Sequence, residues 1–224
     1  MELTISDRIA LVRENLQRVG GSRPVSLVAV AKTKPPEAVR AAIAAGADAI
    51  GENYVQELRD KVAAGAYEGG RIHMIGHLQT NKVKYIAGKV DLIQSVDSLS
   101  LLEAISRRAL TLSTVQDILL EVNIGGEEAK SGLPPEELPE LLSAAGQYPG
   151  IRVRGLMTIP PAENTSAYFP LMYNLFVDNK GKKYDNVNMD FLSMGMSDDY
   201  EIAVKEGANM VRVGSFIFGP RNYT

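Results

Sequence analysis

The 224-residue sequence contains no cysteine, no tryptophan and only two histidines. Without thiols there can be no disulfide, no thiolate metal site and no cysteine nucleophile. No apolar run approaches the ~20 residues that cross a bilayer. The N-terminal stretch MELTISDRIALVRENL carries acids and lacks the apolar core of a signal peptide. Positive charge is not in excess either: 24 Lys and Arg stand against 27 Asp and Glu, a formal net charge of −3. No global field therefore draws nucleic acid or an anionic membrane, and an anionic ligand must be held by a local site. The expectation is a cytoplasmic protein with neither a nucleic-acid nor a membrane partner. What is present, 45% hydrophobic and 23% charged residues, is the composition of an ordinary globular chain.

The chain alternates between short apolar runs and helical patterns. Ser6 with Asp7 reads as a cap for a first helix, with Ile9, Leu11, Val12, Leu16 and Val19 at helical spacing and Gly20 and Gly21 to stop it. Strand-length runs follow at SLVAVAK (26–32), ADAIG (47–51), RIHMIG (71–76), VDLIQSV (90–96), QDILLEVNI (116–124), IRVRGLMTI (151–159), MDFLSMG (189–195) and NMVRVGS (209–215). Each leads into a helical pattern or the terminus, the sixth into a polar and aromatic stretch at 167–180. Strict alternation implies a parallel sheet, and eight units predict closure into a (β/α)8 TIM barrel with an extra N-terminal helix. No linker or compositional shift divides the chain, so residues 1–224 are read as a single domain.

In such a barrel the active site lies at the C-terminal ends of the strands. VAVAKTKP (28–35) puts a lysine there. Alternation places Val28, Val30 and Lys32 on one side of the strand and Leu27, Ala29 and Ala31 on the other. If the first set faces the barrel axis, Lys32 caps the interior as a desolvated amine suited to nucleophilic attack on a carbonyl. The plain alternative is a surface lysine that ends the strand.

SMGMSDD (193–199) follows the seventh strand and VRVGS (211–215) ends the eighth, where barrels of this kind recurrently bind phosphate. Gly195 and Gly214 would let backbone N–H groups approach an anion, and Ser197 and Ser215 add hydroxyls. Ser197 could equally cap the next helix, and Asp198 and Asp199 must turn away from any phosphate. A phosphate cup facing a strand-end lysine is an arrangement suited to pyridoxal phosphate. Arg212 shares a side with Met210 and Gly214, so the same parity turns it inward; the alternative is an outward, salt-bridged arginine. A guanidinium at the ring nitrogen would stay charged, leave that nitrogen unprotonated and make the ring a poor electron sink.

Taken together, AVAKTKP, GENYVQE (51–57), HMIGHLQTNK (73–82), SVDS (95–98), VNIGGEEAKSG, GLMTIPP, SMGMSDDYEIAVKEGANMVRVGS and FGPR resemble, in order and from about Val28 to Arg221, the pyridoxal phosphate homeostasis protein family (YggS/PROSC). The resemblance implies a barrel like the N-terminal domain of alanine racemase, with pyridoxal 5'-phosphate held as an internal aldimine on Lys32 and Arg212 facing the pyridine nitrogen. It implies that Ser197, Gly214 and Ser215 bind the phosphate, with Gly195 and Met196 in the same loop. Asn53 is implied near the ring face or its phenolic oxygen, and Met157 at the mouth. The segment AYFPLMYNLFVDNKGKKYDNVNMDF departs from the family's pattern around the sixth helix of the barrel, away from the cofactor residues.

His73 and His77 stand four apart, but Gly76 marks a strand-to-helix junction, no Cys can join them and no adjacent Glu makes an HExxH motif, so no metal site is expected. Glu52 and Glu57 could order the mouth or be surface carboxylates. Lys130 falls in a loop after the fifth strand, and Tyr54, Tyr168, Phe169, Tyr173 and Phe176 read as packing residues.

Three functions fit these residues. The first is a non-catalytic carrier and buffer of pyridoxal phosphate, serving apo enzymes that use it. The second is an amino-acid racemase. Racemases of this fold need a second acid/base, usually a tyrosine from a partner's C-terminal domain, and the chain runs only nine residues past Ser215. That favours the carrier and, by the same reasoning, a monomer. The third is a sugar-phosphate barrel with an aldolase-like lysine.

Overall fold

The computed structural model describes residues 3–127 and 129–219. Helix α1 (Ile5–Gly20) comes first. The strands are β1 (Ser26–Val30), β2 (Ala49–Glu52), β3 (Ile72–Met74), β4 (Leu92–Val96), β5 (Gln116–Glu121), β6 (Ile151–Met157), β7 (Val187–Ser193) and β8 (Met210–Val213). After each in turn comes a helix: α2 (Pro36–Ala44), α3 (Val55–Ala63), α4 (Val83–Ile86), α5 (Leu99–Thr111), α6 (Leu138–Ala145), α7 (Thr165–Lys180), α8 (Tyr200–Lys205) and α9 (Ser215–Phe218). The eight strands pair in parallel in sequence order, and β1 closes on β8 with Val28 opposite Arg212. This is the expected barrel.

Local chemistry sets the first helix differently from the sequence reading. Thr4, not Ser6, caps α1: Thr4 Oγ1 accepts from the Asp7 N–H, and the Asp7 carboxylate accepts from the Thr4 N–H. Such a reciprocal capping box is worth about 1 kcal/mol. Ile9, Val12 and Leu16 face the core as expected, whereas Leu11 is exposed. The sixth helix of the barrel, α7, forms despite Pro170 inside it, and starts two residues ahead of the expected stretch. Helix α4 is shorter than its sequence pattern, one turn preceded by a 3-10 turn over Thr80–Lys82.

Two apolar layers result. The larger lies between strands and helices and includes Leu27, Ala29, Ala31, Ile50 and Val213. The smaller fills the barrel itself with Val28, Ala49, Leu92, Leu119, Met157 and Met210. Among the described residues no helix is long and apolar enough to cross a membrane.

Candidate functional site

A cavity of about 230 Å³ opens at the C-terminal ends of the strands. It is a size for a small metabolite rather than a polymer. Strand parity works as the sequence implies: Leu27, Ala29 and Ala31 pack outward against helices, while Val28 sits in the barrel and Val30 and Lys32 line the cavity above it. Lys32 stands in a turn two residues beyond β1 and is half-buried. Across the opening, Met196, Ser197, Gly214 and Ser215 line the same cavity, and Asn53 and Arg212 complete its wall. The arrangement inferred from separate motifs is thus one concave site.

The loop after β7 and the turn after β8 are joined through Ser197. Its Oγ accepts from the backbone N–H of Gly214 at 3.2 Å and of Phe216 at 3.4 Å. Ser197 therefore does not cap α8. Asp199 sits at that cap, and its Oδ1 accepts from the Met196 N–H at 2.6 Å. Asp199 is folded into its own loop, but Asp198 is exposed and lines the cavity, so the expectation that both acids turn away from a phosphate is met by Asp199 alone. Gly214 is small for a reason of packing: a Cβ there would lie 3.3 Å from the Cβ of Val30. Gly195 is buried at φ +93° behind the cavity lining and shapes the loop without reaching the cavity.

Arg212 is 3% exposed yet lines the cavity. Nη1 donates to Ser193 Oγ at 2.7 Å and Nη2 to the Thr158 carbonyl at 2.8 Å. Burial pushes its pKa down to about 10, with Glu121 and Asp199 pulling upward, so the guanidinium stays charged at neutral pH. Asn53 adds a buried Oδ1 that meets no hydrogen-bond partner among the described residues. An orphaned acceptor at a cavity wall is a polar group awaiting a donor.

Besides Gly195, Met157 is the other expected site residue that does not line the cavity. It is fully buried in the barrel interior with Val28, Leu119 and Met210, beneath the mouth rather than at it. The cause is local. Sheet register shifts between Val153 and Gly155, where Gly155 takes φ +141°, and Ile159 supplies the apolar wall instead.

The sequence reading missed several polar residues beneath and beside the cavity. Glu52 is fully buried, not a surface carboxylate, and bonds to Lys61 and Tyr67. Gln94 and Ser193 are fully buried, and Gln94 Oε1 accepts from Ser193 Oγ at 2.7 Å. Parity could have found both, because Leu92 and Phe191 two residues earlier face the barrel interior. Glu121 is 5% exposed, and burial, reinforced by Asp97 and opposed by Arg212, lifts its carboxyl to about 7.

His73 and His77 part company. His73 is buried with Nδ1 2.9 Å from Gln94 Nε2, and it lines a second cavity at the other end of the barrel. His77 is exposed, 3.8 Å from the Asp97 carboxylate. Among the described residues no cluster of His, Asp and Glu could hold a metal ion. Lys130 donates to the Pro160 carbonyl and pairs with Glu127. Of the FGPR motif, Pro220 and Arg221 lie outside the described residues.

The family model described as alanine racemase, N-terminal domain, matches residues 8–222. The pyridoxal phosphate homeostasis protein of Aquifex aeolicus is 44% identical, over 97% of this chain and 98% of its own length. The solved structure of PipY from Synechococcus elongatus with pyridoxal phosphate bound superposes with a TM-score of 0.82 at 34% identity, covering 96% of this chain and all of that one. The alanine racemase of Streptomyces lavendulae shares the fold at a TM-score of 0.70 and 18% identity, with 96% of this chain matching 58% of that chain.

Proposed function

The chain belongs to the alanine racemase N-terminal-domain family and is similar over its whole length to pyridoxal phosphate homeostasis proteins, and from that premise we propose that it binds pyridoxal 5'-phosphate at the strand-end cavity. Its role in this reading is to hold and release the cofactor in its homeostasis, without substantial catalysis of its own. The residues present fit the group on three counts. A primary amine, Lys32, stands on one wall and a hydroxyl-and-backbone cup on the other. The cup already places an oxygen, Ser197 Oγ, where two N–H groups converge. Asn53 Oδ1 brings an unpartnered acceptor, and Arg212 a fixed positive charge, to the wall between them.

Bound pyridoxal phosphate would supply an aldehyde able to condense reversibly with an amine. Lys32 supplies that amine. Gly214, Ser197 and Ser215 take the phosphate by backbone and hydroxyl donors, with Gly195 and Met196 shaping the loop. Arg212, oriented by Ser193 and Thr158, would present a fixed positive charge to the group, and its basicity would keep it from delivering a proton there. Asn53 orients the ring's polar edge. Met157 supports the floor from below.

The observation that carries this reading is the convergence of Lys32 and the Ser197–Gly214–Ser215 turn on one cavity. A racemase needs an acid/base on each face of its substrate, and among the described residues no tyrosine lines the cavity. Purified protein is expected to show absorbance near the visible edge on adding pyridoxal phosphate, lost in Lys32→Ala, and no turnover of amino acids above the rate of free cofactor. Turnover well above that rate would install the racemase instead. In the same reading the chain acts as one cytoplasmic, monomeric unit over residues 1–224 and passes the cofactor to apo enzymes. Gel filtration and transfer to an apo enzyme test those two points.

A further inference from the structure

Lys32 sits in a turn whose backbone is not self-sustaining. Lys34 donates its N–H to the Ala31 carbonyl at 3.0 Å, and the third residue of the turn, Thr33, takes φ +62°. That left-handed conformation suits Gly or Asn and is unfavourable for a β-branched residue. Something outside the turn must over-determine it.

A buried ionic cluster does so from behind the sheet. Lys61, on α3, is 4% exposed, and its Nζ donates to the Ala31 carbonyl at 2.7 Å, Glu52 Oε1 at 2.8 Å and Glu57 Oε1 at 2.7 Å. Three acceptors match its three N–H groups, as a buried ammonium requires. Glu57 Oε1 also accepts from the Thr33 N–H at 2.5 Å, and the Tyr67 hydroxyl donates to Glu52 at 2.8 Å. The carbonyl before Lys32 and the N–H after it are therefore both held by one charged group and its counter-ion. Neither Lys61, Glu52, Glu57 nor Tyr67 lines the cavity. A buried cation that lies off the cavity lining, holds the peptide carbonyl before the amine directly and holds the peptide N–H after it through Glu57 has a geometric task.

We propose that Lys61, acting through the Ala31 carbonyl and Glu57, is the positioning residue that aims Lys32 at the aldehyde of the bound cofactor. The proposal rests on the reading of Lys32 as the attachment point. It separates two properties usually lost together, because Lys61 should govern the bond to Lys32 while the phosphate cup across the cavity remains intact.

Two variants and two ligands test it. Glu57→Ala removes the acceptor for the Thr33 N–H at a half-buried position; Lys61→Met with Glu52→Gln removes the cation without stranding its buried partner. Pyridoxal phosphate reports the link to Lys32, by absorbance and by borohydride trapping. Pyridoxine phosphate, with the same ring and phosphate but an alcohol for the aldehyde, reports the rest of the site. The expected result is a loss of about tenfold or more in the rate or extent of linkage, the scale of cost for a misaimed reacting group, with pyridoxine phosphate binding as in the wild type. Wild-type linkage in both variants, or equal loss of both ligands, overturns the proposal. If the double variant does not fold, Glu57→Ala decides alone. A wild-type protein that links nothing at Lys32 overturns the underlying reading, and this inference with it.

Discussion

Arg212 and Ser193 are joined by a 2.7 Å hydrogen bond from guanidinium Nη1 to hydroxyl Oγ inside the barrel, where both are nearly or wholly excluded from water. Ser193 in turn donates to Gln94, and Gln94 meets His73, so a buried polar chain runs from the cavity floor toward the opposite end of the barrel. Each member satisfies the next, which is why four polar side chains can lie in so small a core.

Ser193→Ala breaks that chain at its centre. It leaves Gln94 Oε1 and one Arg212 N–H without their partner, and each orphaned buried group costs about 1–3 kcal/mol. Urea denaturation should show a loss of that order. The cofactor's absorbance should shift as the guanidinium loosens, while its phosphate remains bound.

Glu121 predicts a dependence on pH. Burial first, then Asp97, raises its carboxyl from 4.5 to about 7 in the folded protein. The native state therefore holds the proton more tightly than the unfolded chain, and stability falls as pH rises through that window, by at most about 3 kcal/mol. Glu121→Gln removes this term. Melting curves of the variant and wild type should diverge between those two pH values and run parallel above them. His73 acts with the opposite sign: burial lowers its pKa from 6.5 to about 4, so stability is lost as pH falls through that interval.

Much of this was legible in the sequence, and the reason is periodicity. The two-residue alternation of a strand puts Lys32 with Val28 and Val30, and Arg212 with Met210, as the structure does. Met157 was expected at the mouth from the family resemblance and not from alternation, and beside the irregularity at Gly155 it lies in the barrel core. Pair chemistry between distant segments was not legible at all. Nothing in GENYVQELRDK shows that Lys61 reaches the carbonyl of Ala31, because that contact depends on how α3 crosses β1. Capping was misread for a simpler reason, since Thr4, Ser6 and Asp7 are all competent caps within one turn.

Gly195 makes a backbone prediction. At φ +93°, a Cβ would lie 2.6 Å from the Cβ of Ala203 and 2.9 Å from the Cα of Tyr200. Gly195→Ala should therefore push α8 away from the β7 loop, destabilise the fold by about 1–3 kcal/mol and weaken phosphate binding. Binding of inorganic phosphate and of pyridoxine phosphate should fall in parallel, since both use the same loop.

The most direct test of the site is chemical. Protein mixed with pyridoxal phosphate, reduced with borohydride and digested should yield one modified peptide, carrying the label on Lys32. Label on Lys34, which also lines the cavity, or on no residue of this turn, would contradict the account.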